Sequence, residues 1–85
     1  MKHHASPRFW ACMRGLPRKV QQLARKNFKL LKKDPDHPSL RFKKVGDFYS
    51  ARVGLHHRAL AAGGPDGPIW FWIGSHAEYD KMLAV

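Results

Sequence analysis

The chain has 85 residues and a mass of 9.8 kDa, which leaves room for one domain, residues 1–85, and excludes a second core. Sixteen Lys and Arg against six Asp and Glu give a net charge of +10, which favours a polyanionic partner: nucleic acid, an anionic membrane surface or an acidic protein. The single cysteine, Cys12, excludes an intramolecular disulfide framework and a Cys-based zinc site. The longest apolar run, residues 69–74, is too short to span a bilayer, and no signal-peptide core follows Met1, so the cytoplasm is the expected location.

Two helices are predicted before the first long loop. Ser6-Pro7 is typical of a helix start, with Ser as N-cap and Pro at the first helical position, and Gly15 ends this short helix. Leu16-Pro17 opens a longer helix with apolar residues at helical spacing. It ends at Asp34-Pro35, because the residue before a proline avoids the α region. With so short a link, the two helices form a helical hairpin.

The hydrophobic period changes from that of a helix to that of a strand after the loop of residues 34–39. Alternation predicts three strands, over residues 40–45, 48–54 and 57–62, separated by turn signals. A fourth stretch, residues 69–73, is uniformly apolar and predicts a central strand covered on both faces. Trp70 and Trp72 are two residues apart on it, so both are expected on one buried face rather than free to stack on bases.

The last predicted element is a short helix. Ser75-His76-Ala77-Glu78 is a capping box, and Tyr79 falls on the apolar side of the helix that it opens. The predicted fold class is therefore α+β: an N-terminal helical hairpin packed on a small antiparallel sheet of three or four strands, followed by a short C-terminal helix.

Basic side chains on one face of this sheet form the first candidate site. The face carries Lys43, Ser50, Arg52, His56 and Arg58. Arginine is planar, always charged and able to bind a phosphate through two hydrogen bonds. The structural alternative is that Arg52 and Arg58 pair with Asp47, Glu78 or Asp80, but six acids cannot neutralise sixteen bases. The basic outer face of the second helix is either a solvated surface or a second phosphate-binding surface.

His76 is the candidate for proton transfer. It stands at the first turn of the last helix, whose positive end disfavours an imidazolium, so the free side chain is expected to be neutral and able to accept a proton. The alternative is a histidine with no chemical task. In each of the pairs His3-His4 and His56-His57, the two adjacent side chains would point to opposite faces of a strand, and Asp or Cys partners at useful spacing are missing. Neither a metal ion nor another cofactor is therefore expected.

The order of short segments over nearly the whole chain resembles the RelE/ParE superfamily of bacterial type II toxins. These segments are Phe9-Trp10, Leu16-Pro17 and residues 34–40, 50–54, 57–60 and 70–80. The resemblance implies a helical hairpin on a small twisted antiparallel sheet, a microbial-RNase-like fold. It also implies a cognate antitoxin that wraps the toxin and masks its basic face. RelE-like members cut messenger RNA in the ribosomal A site without a metal, whereas ParE-like members poison DNA gyrase.

The resemblance also implies roles for single residues. Arg58 matches the strand arginine of a "Tyr-Arg-x-x-Tyr"-like segment of RelE-type toxins, although His57 stands here before it instead of Tyr. Arg52 matches a basic residue one strand earlier, and Ser50 replaces a Lys of some relatives. The catalytic Arg of RelE near the end of the C-terminal strand has no counterpart. His76 instead is similar to the histidine of YafQ-type members, followed by Tyr79 or Asp80 where relatives carry an aromatic residue.

The expected function is therefore that of a metal-independent mRNA endoribonuclease toxin. Arg52 and Arg58 are expected to hold the phosphate, His76 to act as acid or base with His56 or His57 as its opposite, and Tyr79 to stack a base or help proton transfer. The expected substrate-binding residues are Lys43, Lys44, Ser50 and His56. The expected partners are a cognate antitoxin and RNA, including ribosome-bound mRNA, with no membrane and no small-molecule cofactor. A ParE-like gyrase poison without nuclease activity and a non-catalytic basic nucleic-acid-binding module are the open alternatives.

Overall fold

The computed structural model describes residues 2–83, so the ends of the expected 1–85 domain, Met1 and residues 84–85, lie outside the described residues. Within that range the chain forms α-helices, one short 3₁₀ helix and a five-stranded sheet. In chain order the elements are β1 (His4–Ala5), α1 (Pro7–Arg14), α2 (Arg18–Lys33), the 3₁₀ helix (Pro38–Leu40), β2 (Lys43–Val45), β3 (Phe48–Val53), β4 (His57–Gly63), β5 (Pro68–Ser75) and α3 (His76–Leu83). No helix among these is long and apolar enough to cross a membrane.

The two N-terminal helices begin and end where their capping residues predict. The backbone N–H of Phe9 donates to the Ser6 hydroxyl at 3.3 Å, and α1 ends at Gly15. α2 ends before the Asp34-Pro35 step. Both helices pack on one face of the sheet, where the buried side chains are Met13, Ala24, Leu31, Ala51, Val53, Ala59, Ala61, Trp70 and Ile73. The predicted helical hairpin on a sheet is confirmed.

The sheet has the order β1-β5-β4-β3-β2. Strands β2 to β5 form the predicted antiparallel meander. β1 pairs in parallel with β5 and makes the sheet mixed, which was not predicted because two residues are too short to display an alternation. β4, not the apolar β5, is therefore the central strand. β5 is apolar because side chains on both of its faces are buried.

The start of β2 corrects a second prediction. The strand begins at Lys43 rather than at residue 40, because Leu40 belongs to the 3₁₀ helix and is fully buried there. Arg41 follows that helix with a positive φ of 44°, which interrupts any extended backbone.

A β-bulge in β5 separates the two tryptophans. Leu60 pairs with Trp72 and Ala61 pairs with Trp70, so Phe71 is an extra residue in the ladder. Both indoles are buried, as predicted, but the prediction of one shared face is wrong: Trp70 packs in the core under the helices, whereas Trp72 packs with Leu60 and Tyr79. The bulge thus supplies the opposite face of the sheet with its own apolar floor.

Candidate functional site

An open basin of about 430 Å³ lies on the sheet face opposite α1 and α2. We call this cavity the basin. It is lined by Arg41, Lys43, Ser50, Arg52, Arg58, His76, Tyr79 and Asp80. Cations dominate this lining, and Asp80 is its single carboxylate. The arrangement is suited to an anion rather than to a neutral or positively charged ligand.

The register of β3 and β4 brings two arginines side by side. Arg52 and Arg58 are direct partners in the antiparallel ladder, and residues that pair across strands project from the same face. Lys43 and Ser50 form the next pair along that face. The sequence predicted this grouping, since the alternation of β3 and β4 follows directly from the residue pattern.

The two guanidinium groups pair with no carboxylate of the described residues. Within residues 2–83 neither arginine forms an ion pair with a carboxylate, so the alternative pairing with Asp47, Glu78 or Asp80 does not occur there. The Nε of Arg52 is buried without a hydrogen-bond partner. Arg58 donates from Nη1 to its neighbouring carbonyl of His57 at 2.9 Å. Like charges directly opposite one another destabilise a sheet, and a bound anion would relieve this repulsion.

The pKa of Arg58 is lowered by its surroundings. Burial lowers the pKa of Arg58 most, and the positive charge of Arg52 lowers it further. Tyr79 and Asp80 act in the opposite direction and raise the pKa, which places both groups within electrostatic reach of this guanidinium. Arg58 is therefore a cation partly withdrawn from water, and such a group gains more from a phosphate than a fully solvated one does.

Arg41 is a basin residue that sequence reasoning missed. Its φ of 44° is the one positive value at a non-glycine residue within the described range. The left-handed region is unfavourable for residues with a Cβ, and such strain concentrates at functional positions. No turn signal in Ser39-Leu40-Arg41-Phe42 announces this conformation, so only the structure reveals that Arg41 joins the other cations.

His76 is held at the start of α3 by three contacts. Its backbone N–H donates to the carbonyl oxygen of His56 at 2.7 Å. Its ring Nε2 lies 3.1 Å from Oδ2 of Asp80, and the ring stacks on Tyr79 with centroids 6.2 Å apart. A carboxylate bonded to one ring nitrogen orients the imidazole and leaves Nδ1 as the nitrogen for another partner. Asp80 was missed as a partner of His76, although the spacing i, i+4 on one helix face was readable from the sequence.

The capping box predicted at this helix is confirmed. The Ser75 hydroxyl accepts from the Glu78 backbone N–H at 3.1 Å, and the Glu78 carboxylate accepts from the Ser75 hydroxyl at 2.9 Å. These hydrogen bonds lower the pKa of Glu78. They fix the first turn of α3, and with it the position of His76 above the sheet.

The floor of the basin depends on a glycine. Leu60, Trp72 and Tyr79 form a small buried cluster under α3. The Trp72 indole leans over Gly74, the neighbour of Arg58 in the ladder, so closely that a Cβ at Gly74 would lie 2.4 Å from a ring carbon. Glycine at this position therefore leaves room for the indole next to Arg58 in the ladder.

The basin brings together six of the predicted site residues and leaves three outside. Those inside are Arg52, Arg58, His76, Tyr79, Lys43 and Ser50. His57 pairs with Val53 and Lys44 pairs with Tyr49, and these registers direct both side chains to the helix-covered side. His56 belongs to the turn between β3 and β4, not to a strand, so its expected place beside Arg58 is wrong. Within residues 2–83, no three His, Cys, Asp or Glu side chains gather as a metal-binding group.

Comparison with known proteins identifies the architecture. No protein-family model matches the chain, and no curated protein matches it. Among solved structures, a chain of the RelB–RelE antitoxin–toxin complex from Methanococcus jannaschii superposes with a TM-score of 0.71 at 13% identity, covering 94% of this chain and 98% of that one. The chain has the RelE fold. The isolated E. coli RelE toxin shares that fold with a TM-score of 0.62 at 13% identity, covering 95% of this chain and 96% of the toxin. A chain of the archaeal RelE–RelB complex from Pyrococcus horikoshii OT3 gives 0.65 at 13% identity, covering 87% and 92%.

The RelE fold confirms the α+β architecture predicted from the sequence. At this level of identity the likeness concerns the arrangement of helices and strands. Any activity must therefore be argued from the side chains that line the basin.

Proposed function

We propose that this RelE-fold chain is the toxin of a type II toxin–antitoxin system and a metal-independent endoribonuclease that cleaves mRNA and thereby inhibits translation. One observation carries the proposal: two guanidinium groups that pair with no carboxylate between residues 2 and 83 lie in the same basin as an imidazole bonded to a carboxylate. Cations for a phosphate and a group for proton transfer are what cleavage of a phosphodiester requires.

The reaction is the attack of a ribose 2′-oxygen on the adjacent phosphorus. A base takes the proton of the 2′-hydroxyl as its oxygen bonds to phosphorus, and an acid gives a proton to the 5′-oxygen as its bond to phosphorus breaks. The products are a 2′,3′-cyclic phosphate and a 5′-hydroxyl. Arg52 and Arg58 bind the non-bridging oxygens and stabilise their charge in the transition state. Arg41 and Lys43, at the edge of the basin, hold the flanking phosphates.

His76 is one of the two proton-transfer groups, either the acid or the base. With Nε2 bonded to Asp80, its Nδ1 is the nitrogen that meets the substrate. Asp80 acts as a positioning residue, because it touches the imidazole rather than the reacting atoms. His56 and His57 lie outside the basin, so the second proton-transfer role falls to Tyr79. Its ring stacks on His76, and it raises the pKa of Arg58.

The partners follow from the charge. The net charge of +10 favours an acidic or amphipathic antitoxin segment that covers the basin. The similar structure from M. jannaschii is a complex of an antitoxin with a toxin, which supports an antitoxin as partner. RNA, including mRNA on the ribosome, is the proposed substrate, and the bacterial cytoplasm is the proposed location.

Expression of the chain alone in bacteria, followed by pulse labelling of protein and DNA synthesis, tests this function. We expect protein synthesis to stop first and mRNA to be cut. His76→Ala is expected to lower cleavage by about 10²–10⁴-fold, the usual cost of losing one acid or base. His56→Ala, a neighbouring histidine outside the basin, serves as the matched control and should stay toxic. A replication block with intact mRNA would point to a gyrase poison, and normal growth would point to a non-catalytic nucleic-acid-binding module.

A further inference from the structure

We propose that Phe48 and Phe71 form a stacking site for a nucleobase of single-stranded RNA, beyond the phosphate held in the basin. We call this pair the aromatic shelf. The inference rests on the proposed function, since it assumes that the ligand of the basin is RNA. It adds a base-binding subsite at a distance from the reacting phosphate.

The two rings lie on the same face as the basin. Phe48 pairs with Ala62 in the ladder and has the same alternation as Ser50 and Arg52, so it projects from the open face. Phe71 is the extra residue of the bulge and packs against the Leu60–Trp72–Tyr79 cluster on that face. The ring centroids are 5.5 Å apart at an interplanar angle of 56°. The small side chain of Ala62 leaves the space that the two rings share above β4.

The shelf is open to solvent. Phe48 is 38% exposed, and Phe71 is only partly buried. A partly exposed aromatic ring can bind a ligand through its solvent-facing side, and the flat ring of any nucleobase can stack on it.

The distance and the path between shelf and basin suit an extended strand of RNA. Phe48 precedes Arg52 by four residues of β3, which is about 13 Å at the rise of a strand. Between them on this face the ladder places Ser50, Leu60 and Trp72, which are buried and uncharged. Lys43, the exposed partner of Ser50, stands beside this path where a phosphate would pass.

The same charges favour RNA over a protein as occupant. Next to the shelf is the basin, whose lining has four cationic residues: Arg41, Lys43, Arg52 and Arg58. RNA carries a negative charge at each nucleotide and therefore complements several of these cations at once. Asp47 precedes Phe48 in the turn between β2 and β3, so we assign the shelf to a base and leave the phosphates to Lys43 and the arginines.

Fluorescence anisotropy with 2′-O-methyl RNA tests the shelf, because a blocked 2′-oxygen prevents cleavage. The probes are a dinucleotide, whose one phosphodiester fills only the basin, and an octanucleotide, which also reaches the shelf. Phe48→Ala should weaken octanucleotide binding by about 5- to 150-fold, as expected for one lost base–aromatic stack, and leave dinucleotide binding unchanged. Phe48→Trp should bind the octanucleotide at least as tightly as the wild type. Trp10→Ala is the matched control, since Trp10 is 43% exposed on the helix side, and should bind both probes normally.

Three results would overturn the inference or its basis. If Phe48→Ala binds the octanucleotide normally while Arg52→Ala does not, the shelf is not an RNA subsite and serves a protein partner, and the proposed function stands. If Phe48→Ala weakens both probes equally, the substitution acts through the basin and the subsite is rejected. If the wild type binds neither probe, the proposed function itself fails.

Discussion

Replacing Arg41 by glycine should raise or preserve stability while it lowers activity. Arg41 is held at a φ of 44°, in the left-handed region. That region costs a residue with a Cβ about 1–2 kcal/mol, a cost that glycine does not have. Glycine also gives the unfolded chain more freedom, which opposes this gain by about 0.4–1 kcal/mol. The expected net change in the free energy of unfolding for Arg41→Gly is therefore between about 0 and +1.6 kcal/mol.

The activity should move the other way. A hydrogen bond to a charged group contributes about 1.5–3 kcal/mol, so loss of the Arg41 guanidinium from the basin should reduce RNA cleavage by about 10- to 150-fold. Arg41→Ala is the matched control: it removes the same charge but keeps the strained backbone. Both variants should lose the same activity, and the glycine variant should melt above the alanine variant.

Thermal unfolding and RNA cleavage by the two variants measure these effects. For a chain of this length, 1 kcal/mol corresponds to a shift in melting temperature of about 4–8 °C. Full cleavage activity of Arg41→Gly would refute the placement of Arg41 in the phosphate site. A glycine variant that melts well below both the wild type and Arg41→Ala would refute the assignment of backbone strain.

Three further substitutions test contacts on both faces of the sheet. Gly74→Ala should destabilise the protein by about 1–3 kcal/mol and lower cleavage, because the added Cβ collides with the Trp72 indole; an unchanged melting temperature would contradict the packing. The hydrogen bonds to Ser75 lower the pKa of Glu78 below 4.5 in the folded state, so the carboxylate stabilises the protein above that pH and this stabilisation is lost as the pH falls through the folded pKa. Acid unfolding curves of Glu78→Gln should lack this loss of stability. Burial lowers the pKa of His3, which accepts a hydrogen bond from Trp70 Nε1 at 3.1 Å, so the folded state resists its protonation and stability should fall as the pH drops below 6.5; His3→Gln should abolish that loss in pH-dependent melting.

The sequence predicted the elements whose signals are local. Ser6-Pro7, Asp34-Pro35 and the capping box at Ser75 each set a helix boundary through hydrogen bonds or sterics within a few residues. The alternation of β3 and β4 likewise determines which side chains share a face, and it predicts that Arg52 and Arg58 lie together.

Features that depend on tertiary contacts could not be predicted in this way. The bulge at Phe71 places Trp70 and Trp72 on opposite faces of the sheet. A run of apolar residues contains no signal for which of them is the inserted one. The left-handed Arg41 follows from how the 3₁₀ helix joins β2, and not from a glycine or asparagine. His56 lies in the turn between β3 and β4, where the alternation of the strands does not determine the direction of a side chain.

The chemistry of the RNA ends tests the central claim most directly. After induction of the wild type and of His76→Ala in bacteria, the new 5′ ends of mRNA can be mapped and sorted into 5′-hydroxyl and 5′-phosphate ends. Attack by the 2′-oxygen in the basin predicts 5′-hydroxyl ends that appear with the wild type and are absent with His76→Ala, provided that the two proteins melt alike. Unchanged 5′-hydroxyl ends with His76→Ala, or new ends that carry a 5′-phosphate, would contradict the account.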